Sequence, residues 1–205
     1  KPMAGPLRLG IIPTIAPYLL PRILTPLQEA FPDLDLQLQE DLTHRLVEKL
    51  RTGALEAALM AFPYDLPDME TDIFLSEPFV LACAAGDKRP QKPLSISDLD
   101  GDDLLLLEDG HCLRDHALQA CRLQSQASRK TFSASSLPTL IQMVAHGYGS
   151  TLLPEMATAE GVPESIRLIP FKNPKPARQV GLAWKRGAPH AGDVKTLAKK
   201  LRALL

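Results

Sequence analysis

Two periodicities alternate along this chain, and the changes from one to the other mark its elements. Residues 7–12 are a short apolar run closed by Pro13 and Thr14, which predicts a buried strand and a turn. Pro17 suits the first turn of a helix, and Leu19, Leu20, Ile23, Leu24 and Leu27 keep a helical stripe towards Phe31. Pro21 fits the first turn, whereas Pro26 is expected to kink or divide that helix. Residues 34–39 alternate with period two, as a strand with one buried face does. Thr43 is placed to cap a helix through Leu46, Val47 and Leu50, and Gly53 stops it. Residues 56–61 are apolar again. The order β-α-β-α-β predicts a parallel sheet with helices on its faces.

The rest of the chain continues in this style. Residues 63–67 read as loop and 79–83 as a strand, with Cys83 a core thiol. Residues 93–103 are turn-rich. Leu104, Leu105, Leu106 and Leu107 predict a buried strand, and Glu108, Asp109 and Gly110 the turn that ends it. A helix follows from Cys112. Residues 131–134 read as a strand. Ser135 or Ser136 then caps a helix carrying Leu140, Met143 and Val144 and ended by Gly147. Residues 151–153, 166–171 and 179–184 read as late strands, and 192–205 as a closing helix. Its basic residues Lys195, Lys199, Lys200 and Arg202 form a solvated face.

The chemistry is concentrated after the leucine run. Cys112 stands in or just before the first turn of its helix. There, unpaired backbone N–H groups and the positive end of the helix dipole favour thiolate, the form that attacks electrophiles. Glu108, Asp109 and Asp115 oppose it by charge. Cys121 lies nine residues further on. On an intact helix that spacing puts the two side chains on opposite faces, with a rise of about 13 Å. A disulfide needs Cα atoms within about 7 Å, so the pair bonds only if the helix unwinds or refolds. A redox switch is one reading of such a pair, because oxidation selects a different fold. Two inert core thiols are the plainer one. His111 and His116 flank the helix start, and His116 is expected to face solvent.

The wording Leu106-Leu107-Glu108-Asp109-Gly110-His111-Cys112-Leu113-Arg114-Asp115, followed by Cys121, resembles the redox segment of the peroxide-sensing branch of the LysR-type transcription regulators. Residues 10–21, the pair Thr43-His44 and residues 149–154 resemble the same proteins, so the likeness runs through nearly the whole chain. It covers their regulatory part only. It implies an α/β fold of two Rossmann-like lobes, similar to a periplasmic binding protein. The first lobe would hold residues 1–75 and 181–205, and the second, with the redox cysteines, 76–180. Thr14, Thr43 and Cys112 each follow a predicted strand, where open α/β sheets bind ligands.

The resemblance also implies roles. Cys112 would be the peroxidatic thiol and Cys121 the resolving one. Thr14, Thr43, the His111 and Leu113 backbone, Asp115 and Thr131 would bind hydrogen peroxide, and Arg178 would favour the thiolate. Each has a plainer reading: Thr43 a cap, Thr14 a turn hydroxyl, Asp115 a first-turn acid, Arg178 an exposed charge. Thr131 departs from the family, which often has histidine there. Threonine cannot take a proton at neutral pH, so the peroxide reaction is expected to be slower unless His111 or His116 substitutes. Partners implied are a second copy or a tetramer, a glutaredoxin- or thioredoxin-type reductant, and promoter DNA through an N-terminal winged helix-turn-helix outside this sequence.

Composition narrows the alternatives. A net charge of -1 gives no overall electrostatic case for nucleic-acid binding by these residues. No apolar run approaches the ~20 residues of a membrane span, and no signal peptide is visible. Three cysteines are a poor stapling framework, so a reducing cytoplasm is expected. Neither a Gly-rich phosphate loop nor metal-ligand spacing is present, and no cofactor or metal is expected. Three other classes remain: an inducer-binding regulatory domain with inert cysteines, a thiol peroxidase, and a periplasmic solute-binding protein, which would require export. A sensor is the reading preferred over an enzyme.

Overall fold

Buried leucines and isoleucines at alternate and then consecutive positions build the first sheet. In the computed structural model, which describes residues 2–99, 103–122 and 133–205, β1 (Gly5–Ile11) pairs in parallel with β2 (Leu34–Glu40) and with β3 (Ala57–Phe62). All six residues of β3 are buried, as expected of a strand covered on both faces. β9 (Ala177–Lys185) runs antiparallel to β3, with Met60 opposite Gly181. Helices α1 (Ala16–Ala30) and α2 (Thr43–Thr52) are the crossovers, and α5 (Ala191–Leu204) packs near α1.

The chain divides into two compact units. The first is Lys1–Ser76 with Gln179–Leu205, and the second is Glu77–Arg178. β4 (Met69–Ala84) and β9 carry the chain from one to the other. In the second unit, β4 pairs antiparallel with β7 (Thr151–Pro154) and with β8 (Ile166–Pro170). A separate parallel pair joins β5 (Leu106–Leu107) to β6 (Ser133–Ala134). α3 (Cys112–Ala120) follows β5, and α4 (Leu137–Ala145) follows β6. Ser136 caps α4 by accepting from the Thr139 N–H.

Three expectations are corrected. Pro26 does not divide α1, which is one helix through both internal prolines. Its buried stripe of Leu19, Ile23 and Leu27 outweighs the hydrogen bonds that the prolines forgo. β4 begins ten residues before the expected strand, at Met69 rather than Phe79. Its half-buried first part lacks a continuous apolar run and so reads weakly. The strand at the four leucines is only Leu106 and Leu107, with Leu104 making an isolated bridge to Ser150.

Gly181 shows how closely the first unit is packed. A Cβ there would lie 2.3 Å from the Asp72 carbonyl oxygen and 2.8 Å from the Ile73 Cα. Both are backbone atoms and have little freedom to yield. Gly181→Ala is expected to cost about 1–3 kcal/mol, the usual penalty of forced overpacking. Urea unfolding checks this by a lowered midpoint at unchanged slope.

Candidate functional site

The leucine run places Cys112. Leu105 donates its N–H to the Ser150 carbonyl at 2.7 Å and accepts from the Thr151 hydroxyl at 2.7 Å. Leu106 and Leu107 pair with Ser133 and Ala134, and the Glu108 N–H reaches the Ala134 carbonyl at 2.9 Å. Gly110, at φ 99°, then turns the chain in a conformation that suits only glycine well. Cys112 opens α3, and the side chain of the preceding His111 makes no capping hydrogen bond. The first-turn N–H groups therefore lack a side-chain acceptor from the cap, and a thiolate at Cys112 lies at the positive end of the dipole.

Cys112 is 8% exposed and Cys121 2% exposed, and none of the three cysteines is bonded to another sulfur. α3 is unbroken from Cys112 to Ala120, with Cys121 as its C-cap. The rise between the two cysteines is therefore about 13 Å, far beyond disulfide reach. Burial pushes the Cys121 thiol up to about 12. In place, it is a protonated and poor nucleophile at neutral pH. Cys83 is fully buried in β4, where burial above all, and then Asp87, raises its thiol. It is the core thiol expected.

His116 corrects the expectation of exposure: it is buried, at 5%. It follows Cys112 by four residues on the inward stripe of α3, with Leu113 and Ala117. The i, i+4 spacing from Cys112 was the signal for this. The spacing between the two histidines was uninformative. His111 is buried too. Burial chiefly lowers its pKa and so favours the neutral ring, opposed by Glu108 and by a hydrogen bond to the Ser135 backbone. Asp115 is exposed in the first turn, as a dipole-complementing acid would be. Arg114 reaches the Leu107 carbonyl at 3.3 Å and pairs with Asp109 at 3.3 Å, which draws that acid towards a cation. Leu113 is buried. Thr131 and Phe132 lie outside the described residues, as does Leu123.

Arg178 is not the exposed charge of the plainer reading. It is 1% exposed, and its Nε donates to Glu77 Oε2 at 2.7 Å. The other Glu77 oxygen accepts the Met156 N–H at 3.0 Å. The pair joins the first and last residues of the second unit. Sequence gave no hint of this partner, since Glu77 stands alone beside Pro78 in a strand. Its carboxylate balances the arginine's charge, which weakens the field that Arg178 offers any thiolate.

The two threonines occupy the carboxyl edge of a parallel strand pair in the first unit. β1 and β2 are in register from Gly5 opposite Leu34 to Ile11 opposite Glu40, and Thr14 and Thr43 follow their ends. Both are buried. Thr43 is not the cap: Leu42 is, and Thr43 is the first helical residue with no capping bond from its side chain. Its Oγ1 is buried and has no hydrogen-bond partner among the described residues. A buried hydroxyl costs about 1–3 kcal/mol unless water or a ligand meets it. Among the described residues, no group of His, Cys, Asp and Glu is arranged to hold a metal, and no helix is long and apolar enough to cross a membrane.

Several known proteins resemble this chain, among them an "HTH-type transcriptional regulator EstR" of Acinetobacter baylyi, 42% identical over 77% of this chain and 52% of its own length. The family model described as "LysR substrate binding domain" matches residues 1–205. A "Hydrogen peroxide-inducible genes activator" of Haemophilus influenzae is 40% identical over 92% of this chain and 64% of its own length. The chain thus spans slightly under two thirds of that relative. Among solved structures, the reduced form of the regulatory domain of OxyR2 from Vibrio vulnificus matches with a TM-score of 0.91 and 34% identity, covering 100% of this chain and 98% of that one. A hydrogen-peroxide-bound cysteine-to-serine mutant of OxyR from Corynebacterium glutamicum matches with a TM-score of 0.92 and 34% identity. That match covers 100% of this chain and 66% of the other.

Proposed function

This chain belongs to the LysR substrate binding domain family, and we propose that it is the hydrogen-peroxide-sensing regulatory part of a transcription regulator. The observation that carries the proposal is α3 itself. One buried cysteine opens the helix and a second closes it, in a chain similar to peroxide-inducible activators.

The Cys112 thiolate attacks one peroxide oxygen. An S–O bond forms, the O–O bond breaks, and hydroxide leaves and takes a proton to become water. Cys112 is then a sulfenic acid. The Cys121 thiol displaces its oxygen, forming the S–S bond and releasing a second water. Two thiols are oxidised by two electrons, and one peroxide is reduced. α3 must unwind for the second step, and the disulfide then holds the segment in another packing, as a ligand selects one of two states.

In this reading Thr14 and Thr43 of the first unit are hydrogen-bonding groups for peroxide, and so are the His111 and Leu113 backbone, Asp115 and Thr131 of the second. The start of α3 supplies most of the thiolate stabilisation, and the charge-balanced Arg178 a lesser share. The oxidation is one event per switch rather than turnover. A glutaredoxin- or thioredoxin-type protein reverses it, and a dimer or tetramer reads it out on promoter DNA through a DNA-binding part outside this sequence.

Thr43→Val tests the ligand assignment. Valine keeps the shape and removes the partnerless hydroxyl. The variant should be more stable to urea by about 1 kcal/mol, since an unsatisfied buried group is gone. It should also oxidise at Cys112 about tenfold more slowly, the loss of one hydrogen bond of ~1.4 kcal/mol in the transition state. An unchanged oxidation rate would remove Thr43 from the site.

A further inference from the structure

Among the described residues, three helices end in a residue of the left-handed region. Gly53 ends α2 at φ 74°, and Gly147 follows α4 at φ 78°. The third is Arg122, directly after Cys121, at φ 56°. Only Met3 shares a positive φ among the other described non-glycine residues. Arg122 makes the bond expected at such a terminus, its N–H to the Gln119 carbonyl at 3.1 Å. Its side chain is exposed, so packing of that side chain does not impose the conformation. A Cβ disfavours this backbone by a factor of about five or more against glycine.

Resting on the peroxide-sensing reading, we propose that Arg122 is a positioning residue for the resolving step. Its left-handed backbone keeps the end of α3 only marginally held, so that Cys121 is released to meet the Cys112 sulfenic acid. The chain uses glycine where α2 and α4 must stay closed, and withholds it where the helix must open. Cys121 needs this release. It is buried at the far end of an unbroken helix, and burial keeps its thiol protonated. Strain relieved on unwinding favours the disulfide form over the dithiol form, and favours the opened intermediate in the same sense.

Arg122→Gly and Arg122→Ala separate backbone from side chain. Both lose the guanidinium, but only glycine removes the left-handed penalty. Each variant and the parent would be treated with one equivalent of peroxide. The Cys112 thiol, trapped sulfenic acid and disulfide are followed in time, and the dithiol–disulfide balance is then measured in a defined thiol buffer. All three proteins should lose the Cys112 thiol at the same rate. In Arg122→Gly the sulfenic acid should persist about fivefold longer, and the balance should move about fivefold towards dithiol. Arg122→Ala should stay within about twofold of the parent. Glycine and alanine variants that behave alike would overturn the proposal, whether both match the parent or both depart from it. A parent whose Cys112 never oxidises would overturn the peroxide-sensing reading itself, and this inference with it.

Discussion

Cys112→Ser should abolish the response to peroxide and leave the fold intact. Serine presents a hydroxyl far less acidic than a thiol, so the start of α3 has no anion to stabilise, and oxygen cannot form a sulfenic acid. The change is small in volume. It replaces one sulfur by oxygen in a buried residue, at the first position of a helix whose other buried contacts remain. Thermal unfolding should therefore shift little, by an amount typical of conservative substitutions, about 1 kcal/mol. The expected chemical result is complete: no sulfenic acid, no disulfide, and Cys83 and Cys121 both still thiols after peroxide. A disulfide response of parental size in this variant would take Cys112 out of the mechanism.

Cys121→Ser should have an equally large and opposite kind of effect. Peroxide still finds the Cys112 thiolate, so the first oxidation proceeds at the parental rate. The sulfenic acid then lacks its resolving thiol, because Cys83 is fully buried in β4 with a raised thiol pKa and cannot substitute. The sulfenic acid persists, and with more peroxide it advances to sulfinic acid, which thiols do not reverse. A sulfenic-specific reagent should label this variant strongly and the parent only briefly. Unmodified Cys112 after such treatment would contradict the assignment of roles. The two substitutions together order the steps, since one blocks the first oxidation and the other strands its product.

Much of this was legible in the residues, and the exceptions are physical. Apolar runs and their punctuation located β1, β3 and α2, because burial and chain reversal leave local marks. The same marks put Cys112 at a helix start and Cys121 at the far end of that helix. β4 was legible only in its second half, since its first half is partly exposed and does not alternate cleanly. His116 was misplaced because the relevant neighbour is Cys112, four residues before, and not His111. The Glu77–Arg178 pair joins residues 101 positions apart, and no local pattern encodes such a partner. For Thr43, residue type suggests a cap and the family resemblance a ligand. The geometry gives the cap to Leu42 and leaves the threonine hydroxyl buried without a partner. Such orphaned groups are visible only in three dimensions.

The central claim is that peroxide joins the two ends of α3. The most direct test is peptide mapping by mass spectrometry, after one equivalent of peroxide and blocking of the remaining thiols. A single cross-linked species is predicted, two hydrogens lighter than the sum of the Cys112 and Cys121 peptides, with the Cys83 peptide still carrying the thiol block. Blocked thiols at both Cys112 and Cys121, as an inducer-binding domain with inert cysteines would show, would contradict the account.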